Sequence, residues 1–126
     1  MEWAADVAGR YGARVTLLFA PELHSLRDAP LGEAIRGELL EARHAANDEM
    51  LARMARICEA AGIPVETRQV EGSPAAVIAG EAEAGGYDLI VMGSLGLGLG
   101  EQEQQLIGSV TERVLRRVAC PVLVVK

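Results

Sequence analysis

Residues 88 to 92 read as an apolar run with no internal turn residue, the pattern of a strand buried on both faces of a parallel sheet. The run stops at Gly93. From there Gly93, Gly96, Gly98 and Gly100 give a loop whose backbone can approach a ligand with no Cβ in the way. Order is expected to resume at Gly108-Ser109, where Ser109 and Glu112 read as an S-x-x-E capping box heading a helix built on Val110, Val114, Leu115 and Val118. A glycine loop leaving a strand's carboxyl end, with a helix N-terminus nearby, suits an anion. The expected anion is a nucleotide phosphate.

Composition narrows that expectation. At 126 residues the chain is read as one domain, large enough to bury roughly two thirds of the surface its unfolded form exposes. The formal net charge of -6, with no run of basic residues, argues against a nucleic-acid surface or an anionic membrane, since either needs a positive patch. Lys126 is the only lysine, so no G-x-x-x-x-G-K-[ST] loop exists, and a phosphate would be held by backbone amides, hydroxyls or Arg. One Trp, two Tyr and one Phe leave little for base stacking on an aromatic platform.

Cys58 lies in a helical pattern and Cys120 precedes Pro121; with no spacing motif they read as small buried hydrophobes of a reducing compartment. No stretch reaches the roughly 18 apolar residues of a membrane span, and neither a basic n-region nor an apolar h-region opens the chain. A cytoplasmic location is expected.

Along the chain, helical and extended patterns alternate. Residues 2–11 place Trp3, Ala4, Val7, Ala8 and Tyr11 at helical spacing, with Gly12 as the stop. RVTLLFA, residues 14–20, reads as a buried strand, and PELHSLRDAPLG as a loop. A long helix is expected from about 33 to 61, with Ile35, Leu39, Ala42, Ala46, Met50, Met54, Ile57 and Ala61 along its buried stripe and a break suggested near Gly37. PVETRQV follows as an edge strand; Ser73-Pro74 then starts a helix that Gly85-Gly86 ends. YDLIVM, the capped helix and PVLVV complete an α-β-α-β-α-β-α-β order, which implies a parallel sheet with helices on both faces and ligands at the strands' carboxyl ends.

EWAADVAGRYGARVTLLFA near the start, EGSPAAVIAGEAEAGGYDLIVMGSLGLG in the middle and GSVTERVLRRVACPVLVVK at the end together resemble a universal stress protein domain, over nearly the whole chain. A strand ending in VMGS, a GSVTERVLR helix and a terminal CPVLVVK strand occur in the family's order. The resemblance implies a single domain over residues 1–126 with an α/β, flavodoxin- or Rossmann-like three-layer sandwich around a parallel sheet. It also implies a homodimer through residues 121–125. The family divides into ATP-binding and non-binding groups. Gly93 and Gly96 match the G-x-x-G that the binding group uses near ribose and phosphate, Gly108-Ser109 match its phosphate-binding G-S/T, and Met92 and Val110 adjoin them. Ala20 falls where the family touches adenine with backbone. The implied nucleotide site is therefore Ala20, Met92, Gly93, Gly96, Gly108, Ser109 and Val110, taking ATP with or without magnesium.

Two departures stand beside the match. Eleven residues separate Gly96 from Gly108 where the family pattern has nine, and the added length includes Glu101 and Glu103. The family also begins with a central strand and an adenine-contacting Asp, whereas this chain opens at Met1-Glu2-Trp3, inside the first helix. Three accounts compete: a start assigned too late, a sheet in which RVTLLFA pairs directly with YDLIVM, or a neighbouring chain in the vacant position. The first is preferred; a chain that did begin at Met1 is expected to be weakly stable or strongly self-associating.

His24 and His44 have no Ser, Cys or metal-type partner in the sequence pattern, and Glu101 and Glu103 read as a solvated loop face rather than acids or metal ligands. Arg113, one turn from Ser109, is the basic residue of the last helix nearest the expected phosphate. Two functions remain: a homodimeric stress-response module that binds ATP or a related adenine nucleotide, or one that acts by protein contacts without nucleotide. No base to position water and no Walker-type acidic pair is legible, so nothing beyond slow ATP hydrolysis is expected.

Overall fold

Helix and strand alternate as the sequence pattern requires, with one added helical turn. The computed structural model describes residues 1–93 and 108–125. In order these form α1 (Glu2–Tyr11), β1 (Val15–Phe19), α2 (His24–Arg27), α3 (Glu33–Ala60), β2 (Val65–Gln69), α4 (Pro74–Gly85), β3 (Ile90–Gly93), α5 (Ser109–Arg117) and β4 (Val122–Val125). β1 pairs with β2 and β3 with β4, both in parallel. The direct pairing of RVTLLFA with YDLIVM is not formed among the described residues. Two compact units result, Met1–Ser73 and Pro74–Lys126.

In the first unit, α1 ends where Gly12 takes φ 62°, a left-handed conformation that costs glycine little, and its amide returns to the Ala8 carbonyl. Ala5 and Ala8 of α1 pack with Cys58 and Ile63, while Leu17 of β1 packs with Leu51 and Ala55 of α3. Val15 and Val65 join both groups, so the two helices share one face of the sheet.

α3 is unbroken through Gly37, and its buried face departs in part from the expected stripe: Met50 and Met54 pack half-buried against Leu17, Leu51 and Ala55, but the fully buried positions lie beside them. Leu51, Ala55 and Cys58 are buried, whereas Ile35 is 54% exposed and Leu39 and Ile57 are exposed as well. The face in contact runs Leu40, His44, Asn47, Leu51, Ala55 and Cys58, about one residue, or 100°, around the helix from the predicted line. His44 and Asn47 on this face are polar, and both turn toward the Gln69 side chain of β2. The segment expected as plain loop also contains α2, and Arg36 donates from the first turn of α3 to the Ala29 and Leu31 carbonyls at 2.8 Å each.

The β1–β2 register fixes where unpaired backbone lies. The Val15 amide donates to the Pro64 carbonyl, and at the other end the Phe19 and Pro21 carbonyls accept from the Val70 and Gly72 amides. In a parallel ladder alternate residues face the partner strand. Leu18 and Ala20 therefore direct their amides and carbonyls away from β2.

In the second unit α4 packs on α5, with Ala75 and Val114 buried. Gly86 at φ 62° turns the chain out of α4, and β3 begins at Ile90, two residues later than the apolar run. β3 was expected to be buried on both faces and β1 to be a buried strand, yet only Leu17 of β1 is buried and Ile90, Val91 and Met92 are half-buried. Each strand has a single paired edge among the described residues. The predicted capping box is also corrected. Gly108 is the N-cap and has no side chain to cap the helix, Ser109 is the first residue of α5, and Glu112 pairs instead with Arg116 at 2.8 Å. Its buried face is Thr111 and Val114, with Leu115 exposed and Val118 just past the helix end. Among the described residues no helix is long and apolar enough to cross a membrane.

Candidate functional site

β3 delivers its last residue, Gly93, to the sheet's carboxyl end with unused backbone. The Ile90 amide donates to the Pro121 carbonyl, so by parallel alternation Ile90 and Met92 bond to β4 while Val91 and Gly93 face the open edge. The Gly93 carbonyl is taken there by the Thr111 hydroxyl, which donates to it at 2.8 Å. Thr111 is only 3% exposed and is the third residue of α5. This bond brings the head of α5 to the end of β3 and so joins the two halves of the predicted glycine motif.

Among the described residues, the first amides of α5 precede its helical ladder. Gly108 has no side chain to cap the helix, and the first helical hydrogen bond runs from the Glu112 amide to the Gly108 carbonyl. The amides of Ser109, Val110 and Thr111 precede that ladder and carry the helix's positive end. Gly108 is buried, Val110 half-buried and Ser109 exposed. Glu112, the acidic residue of the first turn, faces Arg116.

Met92, Gly93, Gly108, Ser109 and Val110 thus belong to one local arrangement in the second unit. Gly96, Gly98, Gly100, Glu101 and Glu103 lie outside the described residues. Ala20 belongs to the first unit, where its side chain is buried and its backbone points away from β2.

The first unit also holds a polar cluster that the sequence reading missed. Gln69 Oε1 accepts from Asn47 Nδ2 and lies 2.9 Å from His44 Nδ1; Gln69 Nε2 donates to the His44 carbonyl and to Asp48 Oδ1. Arg27 grips both Glu71 oxygens, at 2.6 and 2.7 Å, and His44 Nε2 lies 4.0 Å from Oε1. The Arg27 hydrogen bond and charge, with His44 a lesser influence, hold the Glu71 carboxyl below its ordinary value. The only signal in the sequence was polar residues at helical spacing on α3, His44 and Asn47, whose partner lies 22 or more positions away.

The sequence profile of the Universal stress protein family matches residues 1–126. The chain belongs to the universal stress protein family. Within it, this universal stress protein is 35% identical over 126 residues to Universal stress protein MJ0531 of Methanocaldococcus jannaschii, a match spanning 98% of this chain and 71% of the relative. The solved structure of hypothetical protein MJ0577 superposes with a TM-score of 0.80 at 29% identity, covering 99% of this chain and 86% of that one. A universal stress protein in complex with cAMP superposes with a TM-score of 0.69 at 25% identity, covering 98% and 82%. The family's α/β, flavodoxin-like fold is therefore this universal stress protein's fold, in agreement with its parallel strand pairs and intervening helices.

Proposed function

We propose that this family member is a single-domain stress-response module that binds an adenine nucleotide, ATP or a relative of it, and works as a homodimer. The observation that carries the reading is the head of α5, with Gly108 as its N-cap, held at the carboxyl end of β3 by Thr111. Phosphate oxygens would accept from the Ser109 and Val110 amides and the Ser109 hydroxyl, with glycine at 93 and 108 leaving room for close approach. By the family's sequence pattern alone, Ala20 is assigned to adenine and Gly96 to the G-x-x-G. The related protein in complex with cAMP supports this ligand class. Among the described residues no group of three His, Cys, Asp or Glu could hold a metal, so magnesium would be carried by the nucleotide's own phosphates.

Dimerisation is assigned to residues 121–125. Leu123 and Val125 bond inward to β3, which leaves the backbone of Val122 and Val124 on the outer edge, where a second copy of the strand would cover it. Against the nucleotide stands the longer spacer with Glu101 and Glu103, whose charge favours the second reading, a module acting by protein contacts alone.

Calorimetric titration with ATP in Mg²⁺ decides between them. Micromolar binding that is lost in Gly108→Val and reduced in Ser109→Ala supports the nucleotide module, and no binding up to millimolar ATP leaves the protein-contact reading. Native mass measured on Val124→Asp reads the dimer separately: a wild-type dimer that becomes a monomer supports the β4 interface, and an unchanged dimer refutes it.

A further inference from the structure

Thr111 is the one buried polar side chain among the described residues, and its hydroxyl is directed away from its own helix. A threonine three residues past the N-cap ordinarily turns its hydroxyl to local backbone or to solvent. Here it donates to the carbonyl of Gly93, eighteen positions earlier. That carbonyl, like that of Val91, is left over by the β3–β4 ladder, and its bond to Thr111 sets it beside the amides where a phosphate is proposed to sit. A bare carbonyl dipole at that place would point negative charge toward an anion; one that accepts from Thr111 has its lone pair occupied and its direction fixed.

We infer that Thr111 is the positioning residue of the phosphate seat: it acts through Gly93, holding the Ser109 and Val110 amides in place at the end of β3 and keeping the Gly93 carbonyl turned away from the ligand. The inference rests on the nucleotide reading and adds to it a named part of the ligand. Thr111 governs recognition of the polyphosphate and leaves the adenosine end alone. Placement errors of about 1 Å in such donors are enough to cost large factors in function. Loss of the hydroxyl should therefore lower ATP affinity roughly tenfold, about the net value of one hydrogen bond.

The experiment is a paired titration of the full chain with ATP and with adenosine, on the wild type, Thr111→Val and Thr111→Ser. The expected result is that Thr111→Val weakens ATP while leaving adenosine within about twofold, and that Thr111→Ser, which keeps the hydroxyl, restores ATP. Equal ATP affinity in wild type and Thr111→Val overturns the inference while leaving the nucleotide reading intact. A parallel loss of both ligands, not restored by Thr111→Ser, makes Thr111 a structural residue only and also overturns it. A wild type that binds neither ligand overturns the nucleotide reading, and this inference falls with it. Should Thr111→Val fail to fold, Thr111→Ala removes the hydroxyl without setting a second methyl against the carbonyl, and the same ATP-to-adenosine ratio is read on it.

Discussion

The Thr111 hydroxyl donates to the Gly93 carbonyl across eighteen positions of sequence, and it is the contact that joins helix α5 to the end of strand β3. The hydroxyl is on a buried side chain while Gly93 is exposed, so its removal costs the net value of one hydrogen bond rather than a fully buried unpaired acceptor. Thr111→Val should lower unfolding stability by about 0.5–1.5 kcal/mol, measured by denaturant titration. A variant as stable as the wild type would mean that the bond is not kept in solution.

The face by which α3 packs can be tested with two leucines about three turns apart. Leu51 is 2% exposed and meets Leu17 and Ala55, whereas Leu39 is exposed. Leu51→Ala should cost about 2–5 kcal/mol and Leu39→Ala within about 0.5 kcal/mol. The reverse order in chemical denaturation would restore the stripe expected from sequence.

Gly37 lies inside α3, and a Cβ built there meets nothing within 4 Å. Its backbone is helical, so Gly37→Ala removes unfolded-state freedom without strain. A gain of about 0.4–1 kcal/mol is expected, read as a higher Tm. A loss would show that the helix does break at this position.

Glu71 is held below the ordinary carboxylate value chiefly by its hydrogen bond to Arg27. A carboxylate that binds protons less readily when folded stabilises the fold at pH above its unfolded value, and that contribution disappears as pH falls through the lower folded value. Glu71→Gln should therefore weaken the protein at neutral pH and flatten the acid limb of its stability profile. Urea titrations from neutral pH down to about pH 3 check this, and parallel profiles for the two proteins would remove Glu71 from the account.

The sequence alone determined the order of helices and strands, the carboxyl-end position of the glycine motif and the family, because each follows from local periodicity, turn residues or contiguous motifs. Gly12 and Gly86 end helices for reasons internal to a few residues, and both were legible. The face of α3, the capping of α5 and the Gln69 cluster were decided by tertiary structure. A polar residue such as His44 or Asn47 reads as exposed until its partner, Gln69, is brought to it by the β1–β2 pairing. Likewise Ser109 reads as a cap from its spacing to Glu112, yet the buried hydroxyl at the head of α5 is that of Thr111, because only the folded chain places the unpaired Gly93 carbonyl within its reach. Long-range hydrogen bonds select among local options of similar energy, and that selection is absent from any window of sequence.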